Sequence, residues 1–166
     1  QTTMATTVLL IVALAVTAYA ERTDVELPEE ALGCEDGFTN IAGNCYRFAQ
    51  QTQSWNDARA TCQGQGAKLV SVLNDAQYNG LLSHINNNFP GTYWTSGATE
   101  SGRWIWTATG GSMEQKWWGR NPGNSPNQCA YFCSNTLKYW NKQCSAALRF
   151  ICEKPEEFQV SRVPAV

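Results

Sequence analysis

Seven cysteines, at positions 34, 45, 62, 129, 133, 144 and 152, constrain the fold of this chain more than any other feature of its sequence. Upstream of them all, residues 8–20 form an apolar stretch that is too short to cross a bilayer and ends in the triplet Ala18-Tyr19-Ala20. We interpret residues 1–20 as a signal peptide and the acidic residues 21–33 as a solvated leader. A buried or anchoring N-terminal helix is the alternative.

A secreted chain folds in an oxidising compartment, where cysteines pair as disulfides. A structural zinc site is the rival interpretation, but no two cysteines have the two-residue spacing of a zinc knuckle, and His84 is the only histidine. Because seven is an odd number, at least one thiol has no partner within the chain. Six cysteines allow fifteen pairings, among which the residue pattern alone does not choose. No segment after residue 20 is apolar and long enough to span a membrane.

The length of 166 residues suits one domain, for which two short helices are predicted. Ser54 caps the first helix and Asp57 follows it in capping-box spacing. Asn74 caps the second, with Gln77 reaching back toward it. The apolar faces at helical spacing consist of Trp55, Ala58 and Cys62 in the first helix, and of Tyr78, Leu81, Leu82 and Ile85 in the second, which ends within residues 86–91.

The chain after residue 91 alternates aromatic pairs with Gly, Asn, Ser and Pro, which predicts short strands and irregular loops. Trp104 and Trp106 flank Ile105 with a period of two, so we expect both tryptophans on one face of a strand. The final segment, residues 155–166, has the polar character of the leader and is interpreted as a C-terminal tail.

Several motifs follow one another in a fixed order. They are Cys34-x-x-Gly37-Phe38 with Cys45-Tyr46, then Trp55-x-x-Ala58-x-x-x-Cys62 with Gly66-Ala67-x-Leu69-Val70, then Tyr93-Trp94-Thr95-Ser96-Gly97, Gly102-Arg103-Trp104-Ile105-Trp106 and Phe150-Ile151-Cys152-Glu153. In this order and spacing the chain resembles the long form of the C-type lectin-like domain, over roughly residues 34–154. Among members of that family it resembles the secreted lectins of invertebrates.

The resemblance implies an α+β fold of two short helices, small antiparallel sheets and long irregular loops, framed by disulfides. It also implies the pairings Cys34–Cys45, Cys62–Cys152 and Cys129–Cys144, which leave Cys133 unpaired. Cys133 lies four residues after Cys129 on a predicted strand, so both side chains face the same way. A buried, inert thiol and an intermolecular disulfide that links a homodimer are the two interpretations of Cys133.

Sugar-binding members of the family hold a calcium ion through Glu-Pro-Asn or Gln-Pro-Asp, a Glu before the next cysteine, and Trp-Asn-Asp. This chain has Asn121-Pro122-Gly123 at the first motif, Asn127 at the second and Asn141-Lys142 at the third. Calcium takes six to eight oxygen ligands with carboxylates among them, whereas these positions offer amides and an ammonium group. We therefore predict no calcium binding tighter than millimolar at this position, and no cofactor.

Basic residues accompany aromatic residues in the same region, a combination that suits acidic glycans or an acidic protein surface. The candidate ligand-binding residues are Asn121, Asn127, Asn141, Lys142, Lys116, Arg120 and Trp118, with Lys138 and Tyr139 close by. In the alternative interpretation, Trp117 and Trp140 are core positions and the basic residues only form a solvated face.

These features predict a secreted protein that recognises carbohydrate with little or no dependence on calcium. The alternative is a calcium-independent protein-binding or structural component of an extracellular assembly or matrix. An enzyme is not expected, because His84 has no evident nucleophile or orienting partner and is interpreted as an exposed helix residue. Nucleic acid is not an expected partner, since residues 34–152 carry only nine basic residues against six acidic ones.

Overall fold

A computed structural model describes residues 34–154; the predicted signal peptide, leader and C-terminal tail lie outside these residues. Two α-helices and eight strands form an α+β fold, as predicted. In chain order the elements are β1 (Thr39–Ile41), β2 (Asn44–Gln53), α1 (Trp55–Gln63), β3 (Lys68–Leu69), α2 (Asp75–Asn88), β4 (Thr92–Glu100), β5 (Arg103–Trp106), a 3-10 helix (Gln115–Trp117), β6 (Gln128–Cys133), β7 (Lys138–Gln143) and β8 (Leu148–Lys154).

The strands join in one sheet, where separate small antiparallel sheets were expected. Its main path runs β1-β2-β8-β4-β6-β7, with β3 added beside β8 and β5 beside β4. The pairing of β4 with β8 is parallel, and the other strand pairs are antiparallel. Strand β7 therefore lies at one edge of the main path, where only one of its sides is hydrogen-bonded to another strand.

Both helices begin at the predicted caps. The Ser54 hydroxyl accepts a hydrogen bond from the Asp57 N–H (3.3 Å) and donates to the Asp57 carboxylate (2.6 Å). The Asn74 side chain accepts from the Gln77 N–H (2.9 Å), while the Gln77 side chain accepts from the N–H of Leu73, the residue before the cap (2.8 Å). The predicted apolar residues of both helices are buried, except for the partly buried Leu82.

Two apolar clusters form the core. The larger one contains residues of α2 and the two tryptophans of β5. Trp104 is 8% exposed and Trp106 is 1% exposed. Both tryptophans therefore lie on the buried face of β5, as predicted. The second cluster contains Trp94, Phe150 and the buried residues of α1. Three disulfides pair as the resemblance implies, namely Cys34–Cys45, Cys62–Cys152 and Cys129–Cys144.

The Cys62–Cys152 bridge joins α1 to β8 and spans a sequence separation of 90 residues. It therefore ties the first helix directly to the central strands of the sheet. Within residues 34–154, no helix has the length and apolar character needed to cross a membrane.

Candidate ligand-binding site

Strand β7 sends alternate side chains to opposite faces of the sheet. Tyr139 belongs to the larger core cluster, whereas the neighbouring Trp140 lies opposite Tyr131 of β6 and is only partly buried. By the same alternation, Lys138 and Lys142 share the face of Trp140. With Arg120 they form a surface that we call the β7 strip: Arg120, Tyr131, Lys138, Trp140 and Lys142.

Arg120 is brought over Trp140 by the residue that precedes it. A Cβ atom on Gly119 would lie 2.5 Å from Cζ2 of the Trp140 ring, so only glycine allows the chain to pass this close to the indole. The Gly119 N–H donates to the Tyr139 carbonyl (3.0 Å), which fixes the segment against β7. The Arg120 guanidinium then lies 5.6 Å from the centroid of the Trp140 ring, within range of a cation–π contact.

The Trp140 ring is also oriented by a hydrogen bond from its indole nitrogen. Its indole N–H donates to the Thr136 hydroxyl at 2.8 Å, so the ring is oriented while part of its surface remains exposed. A partly exposed indole beside a cation is the kind of surface on which a sugar ring or another planar group can pack.

The strip has three basic side chains and no acidic one. Arg120, Lys138 and Lys142 form no ion pair with any residue in the described part of the chain. The Lys138 ammonium does donate to the Lys116 carbonyl (3.3 Å). Burial raises the pKa of Tyr131, and interaction with Cys133 adds to the rise, while the positive charge of Arg120 lowers it. The positive charges of Arg120, Lys138 and Lys142 give the strip an electrostatic field that favours an anionic ligand.

Lys116, a predicted ligand-binding residue, is occupied by contacts within the protein. Its ammonium lies 2.9 Å from the Asp75 carboxylate and 3.2 Å from the Glu114 carboxylate. It also lies 4.7 Å from the ring centroid of Trp117, which stacks on Tyr78. Hydrogen bonds to the two carboxylates raise the pKa of Lys116. The Lys116 charge is balanced locally and is not available to a ligand in the way that the charges of the β7 strip are.

Trp118, another candidate, lies in the core. Its side chain is 7% exposed and packs against Trp104 with ring centroids 4.7 Å apart. It also contacts Tyr139, at 6.2 Å between ring centroids. The aromatic residue that faces outward beside the basic side chains is therefore Trp140, which the alternative interpretation treats as a core position. The period-two pattern Lys138-x-Trp140-x-Lys142 is the sequence signal that could have identified it.

Each of the three candidate asparagines makes local contacts of its own. Asn121 uses its side-chain oxygen to accept from the Gly123 N–H (3.1 Å), which closes a turn. Asn127 is exposed with a φ of 57°, and its carbonyl accepts from the Cys144 N–H (3.1 Å). Asn141 faces away from the strip and donates to the Gln128 side chain (3.1 Å).

The Asn141 side-chain oxygen is buried and has no hydrogen-bond partner within residues 34–154. The same residues contain no group of three His, Cys, Asp or Glu side chains that could hold a metal ion. The amides at the family's calcium positions are thus used mainly to shape the loop before β6 and the edge of the sheet.

Cys133 and His84 both differ in burial from what was expected. Cys133 is unpaired, as the resemblance implies, but its side chain is only partly buried. His84 is not a fully exposed helix residue, since its ring stacks on Phe48 with centroids 4.7 Å apart. Burial lowers the pKa of His84, and its Nε2 atom is enclosed without a partner in the described residues. The histidine therefore acts in packing.

Comparison with known proteins agrees with this architecture. The Lectin C-type domain family matches residues 51–154. Human C-type mannose receptor 2 is 32% identical over 122 residues, which cover 69% of this chain but only 8% of the receptor. Human lithostathine-1-beta is 27% identical over 145 residues, which cover 82% of this chain and 87% of that protein. The chain therefore spans a small part of the first relative and most of the second.

Solved structures have the same fold. A crystal structure of human lithostathine superposes with a TM-score of 0.65 at 25% identity, covering 80% of this chain and 98% of that one. The complex of SPL-1 with GlcNAc gives a TM-score of 0.65 at 23% identity, covering 73% of this chain and 94% of that one. With its helices, its sheet and its three disulfides in place, this chain belongs to the C-type lectin domain family.

Proposed function

We propose that this protein is a secreted lectin-like binding protein that recognises acidic glycans through the β7 strip, with little or no dependence on calcium. The observation that carries the proposal is that Lys138 and Lys142 share the face of the partly exposed Trp140, over which Arg120 lies, and that none of these three basic side chains forms an ion pair within residues 34–154. A sulfate or carboxylate group would be attracted by the cations while the sugar ring packs on the indole.

Calcium independence is supported by the chemistry of the residues at the family's calcium positions. Asn121 already accepts a hydrogen bond in its turn, and Asn141 is directed toward Gln128. Lys142 adds a positive charge in the same stretch of sequence. A doubly charged ion that gives up water needs several carboxylates in return, and these residues supply none.

Secretion is supported by the apolar segment of residues 8–20 and by the three disulfides. The names of the similar proteins describe lectins, a mannose receptor, and the snaclec subunit that binds coagulation factors IX and X. These names describe lectins, a receptor and a binding protein, which supports a binding function for this chain.

A glycan array in the presence of a chelator tests the proposal. We expect wild-type protein to bind sulfated or uronic-acid glycans with EDTA present, and the Arg120→Ala/Lys142→Ala double variant to bind about tenfold more weakly or worse, because it loses two of three cations. Lys116→Ala is the matched control, since its charge is already balanced by Asp75 and Glu114.

Two results would contradict the proposal. One is binding that appears only when calcium is added, and the other is a preference for neutral glycans that the double variant retains. If no glycan binds under either condition while an acidic extracellular protein does, the protein-binding alternative replaces the lectin.

A further inference from the structure

A cavity lies between α1, β3 and the loop that follows β5, and it shares no residue with the β7 strip. Its volume is about 220 Å³, which is smaller than the roughly 300–1,000 Å³ of sites that enclose a drug-sized ligand. It can therefore receive one group of a larger ligand. The lining residues are Arg59, Gln63, Lys68, Leu69, Ser96, Thr107 and Ala108.

The walls of this cavity are fixed by the backbone and by a disulfide. The Cys62–Cys152 bridge anchors α1 to β8, and β8 also pairs with β3 through Lys68 and Leu69. Ser96 links the segment after β3 to the loop after β5. Its N–H donates to the Val70 carbonyl (2.8 Å). Its carbonyl accepts from the N–H (3.0 Å) and the hydroxyl (2.8 Å) of Thr107. The site is thus formed before any ligand arrives.

The lining offers hydrogen-bond donors and positive charge. Arg59 and Lys68 are exposed, and neither forms an ion pair in the part of the chain that the structure describes. The Arg59 guanidinium carbon lies 5.8 Å from the centroid of the Trp55 ring. This cation–π contact holds Arg59 at the surface of α1. Among residues 34–154 no carboxylate lines this cavity, and the Gln63 amide adds two further donors.

A neighbouring cavity of about 200 Å³ shares Lys68 and Ala108 with the first one. Its lining includes Glu153, whose carboxylate accepts hydrogen bonds from the Tyr46 hydroxyl (3.3 Å) and the Ser71 N–H (3.1 Å). The negative charge of Glu153 disfavours an anion in this neighbouring cavity. Leu73, which is 53% exposed, and the side chain of Asn44 instead provide apolar and amide contacts for an uncharged group.

We propose that the cavity between Arg59 and Lys68 binds the sulfate ester or carboxylate group of an acidic saccharide, with the attached sugar extending past Lys68 toward Leu73. A guanidinium and an ammonium on two sides of a preformed recess would bind an oxyanion through charge-assisted hydrogen bonds. The proposal does not depend on the β7 strip, because the two sites are built from different residues.

Titration with sodium sulfate, followed by NMR at constant ionic strength, tests the cavity. We expect saturable shifts of the backbone amides of residues 63–69, 96 and 107, with a dissociation constant in the millimolar range. The Arg59→Gln/Lys68→Gln variant should bind sulfate about tenfold more weakly or worse, since it keeps polar side chains at both positions but loses both charges. The Arg120→Ala/Lys142→Ala variant is the matched control and should retain these shifts.

Titrations with a sulfated, a uronic-acid and a neutral disaccharide distinguish the source of the anion. We expect one or both charged sugars to shift the same amides and, in addition, those near Leu73, while the neutral sugar shifts neither set. The proposal is overturned if sulfate produces no saturable shift at residues 63–69, or if Arg59→Gln/Lys68→Gln binds sulfate as wild type does while its unfolding transition shows it to be folded. Loss of array binding in the Arg120→Ala/Lys142→Ala variant would leave this result unaffected, so the two proposals fail separately.

Discussion

At the scale of single residues, burial separates two tryptophans whose sequence contexts look alike. Trp118 lies in the larger core cluster, in contact with Trp104 and Tyr139, whereas Trp140 is partly exposed beside Arg120. Each follows a lysine and an aromatic residue in a turn-rich region, and in the sequence only the period-two pattern of lysines around Trp140 distinguishes them. Their different surroundings predict different consequences of the same substitution.

Trp118→Ala should lower the free energy of unfolding by about 3–5 kcal/mol, as for other buried aromatic residues, because it leaves a cavity in the core. Trp140→Ala should lower it by only about 1–2 kcal/mol, since less apolar surface is removed from contact, but should strongly weaken binding of acidic glycans at the β7 strip. Urea unfolding and glycan binding measured on both variants provide the comparison. Equal stability losses would contradict the assignment of Trp118 to the core and Trp140 to the β7 strip.

Glu153 is a second residue whose surroundings predict a measurable effect. Burial raises its pKa above the usual 4.5, although the Ser71 N–H and the Tyr46 hydroxyl, which donate to it, and the nearby Lys68 lower it. The folded state therefore holds the proton more tightly than the unfolded state, so the contribution of Glu153 to stability decreases as the pH rises from 4.5 through its raised pKa. Burial also raises the pKa of Tyr46, which stays protonated over this range.

Glu153→Gln removes this titration. We expect the stability of the variant relative to wild type to increase as the pH rises above 4.5, because only the wild type ionises a buried carboxyl group. Denaturant unfolding at several pH values measures the difference, and Glu100→Gln, at the exposed end of β4, is the control with the same chemical change. A difference that is constant or falls with pH would contradict the predicted sign.

At the scale of elements, local sequence predicts what local interactions determine. Ser54 and Asn74 cap the two helices as expected because a cap needs only residues within one turn. The parallel pairing of β4 with β8 was not predictable in this way, since it joins Tyr93 and Trp94 to residues far along the chain. The ion pair that engages Lys116 likewise depends on Asp75, which is distant in sequence.

The family resemblance, and not residue spacing, gave the disulfide pairings. It also placed the candidate site near β7, but which side chains face outward depended on the register of β6 with β7. The exposed side of β7 is set by the pairing of Tyr131 with Trp140. That register is a tertiary property, which explains why Lys142 lies in the strip whereas Asn141 does not.

The Ser54 cap allows a direct test of α1 as an element. Ser54→Ala should lower the free energy of unfolding by about 1 kcal/mol, because the Asp57 N–H loses its acceptor at the start of the helix. Asn56→Ala, at an exposed position of the first turn, should change it little. Thermal or denaturant unfolding of the two variants measures the difference, and an effect of Asn56→Ala as large as that of Ser54→Ala would show that the cap is not its cause.

At the scale of the whole molecule, the three disulfides restrict the unfolded chain by different amounts. Cys62 and Cys152 are separated by 90 residues, whereas Cys34 and Cys45 are separated by 11. Loop-closure entropy gives about 4.6 kcal/mol of stabilisation for the long loop and about 2.8 kcal/mol for the short one. The long bridge also joins α1 to β8 and supports one wall of the Arg59–Lys68 cavity.

Replacing Cys62 and Cys152 together by Ala should therefore lower the free energy of unfolding by more than replacing Cys34 and Cys45. The difference should be about 2 kcal/mol from loop closure alone, and larger if the removal of two fully buried sulfur atoms leaves a cavity. Guanidinium unfolding of the two double variants measures it. Equal losses would mean that loop length does not determine the contribution of these bridges.

The seventh cysteine bears on whether the molecule acts alone. Cys133 is unpaired and partly exposed, and it lies beside Lys138 on the face of β6 and β7 that carries the β7 strip. Partial exposure favours an intermolecular disulfide over the inert, buried thiol, because a second thiol can approach it. Such a bridge would place two β7 strips near each other, and linked sites bind a polyvalent glycan more tightly than either site alone.

Electrophoresis without reducing agent should therefore show a dimer that reduction converts to monomer. Cys133→Ser should remove the dimer while leaving the three intrachain disulfides and the stability of the monomer unchanged, since Cys133 takes no part in them. The same variant should bind a long acidic polysaccharide more weakly than wild type but a short acidic oligosaccharide equally well, because only the longer ligand can reach both strips. A wild-type protein that runs as a monomer under both conditions would instead support the inert thiol and a single-site mode of binding.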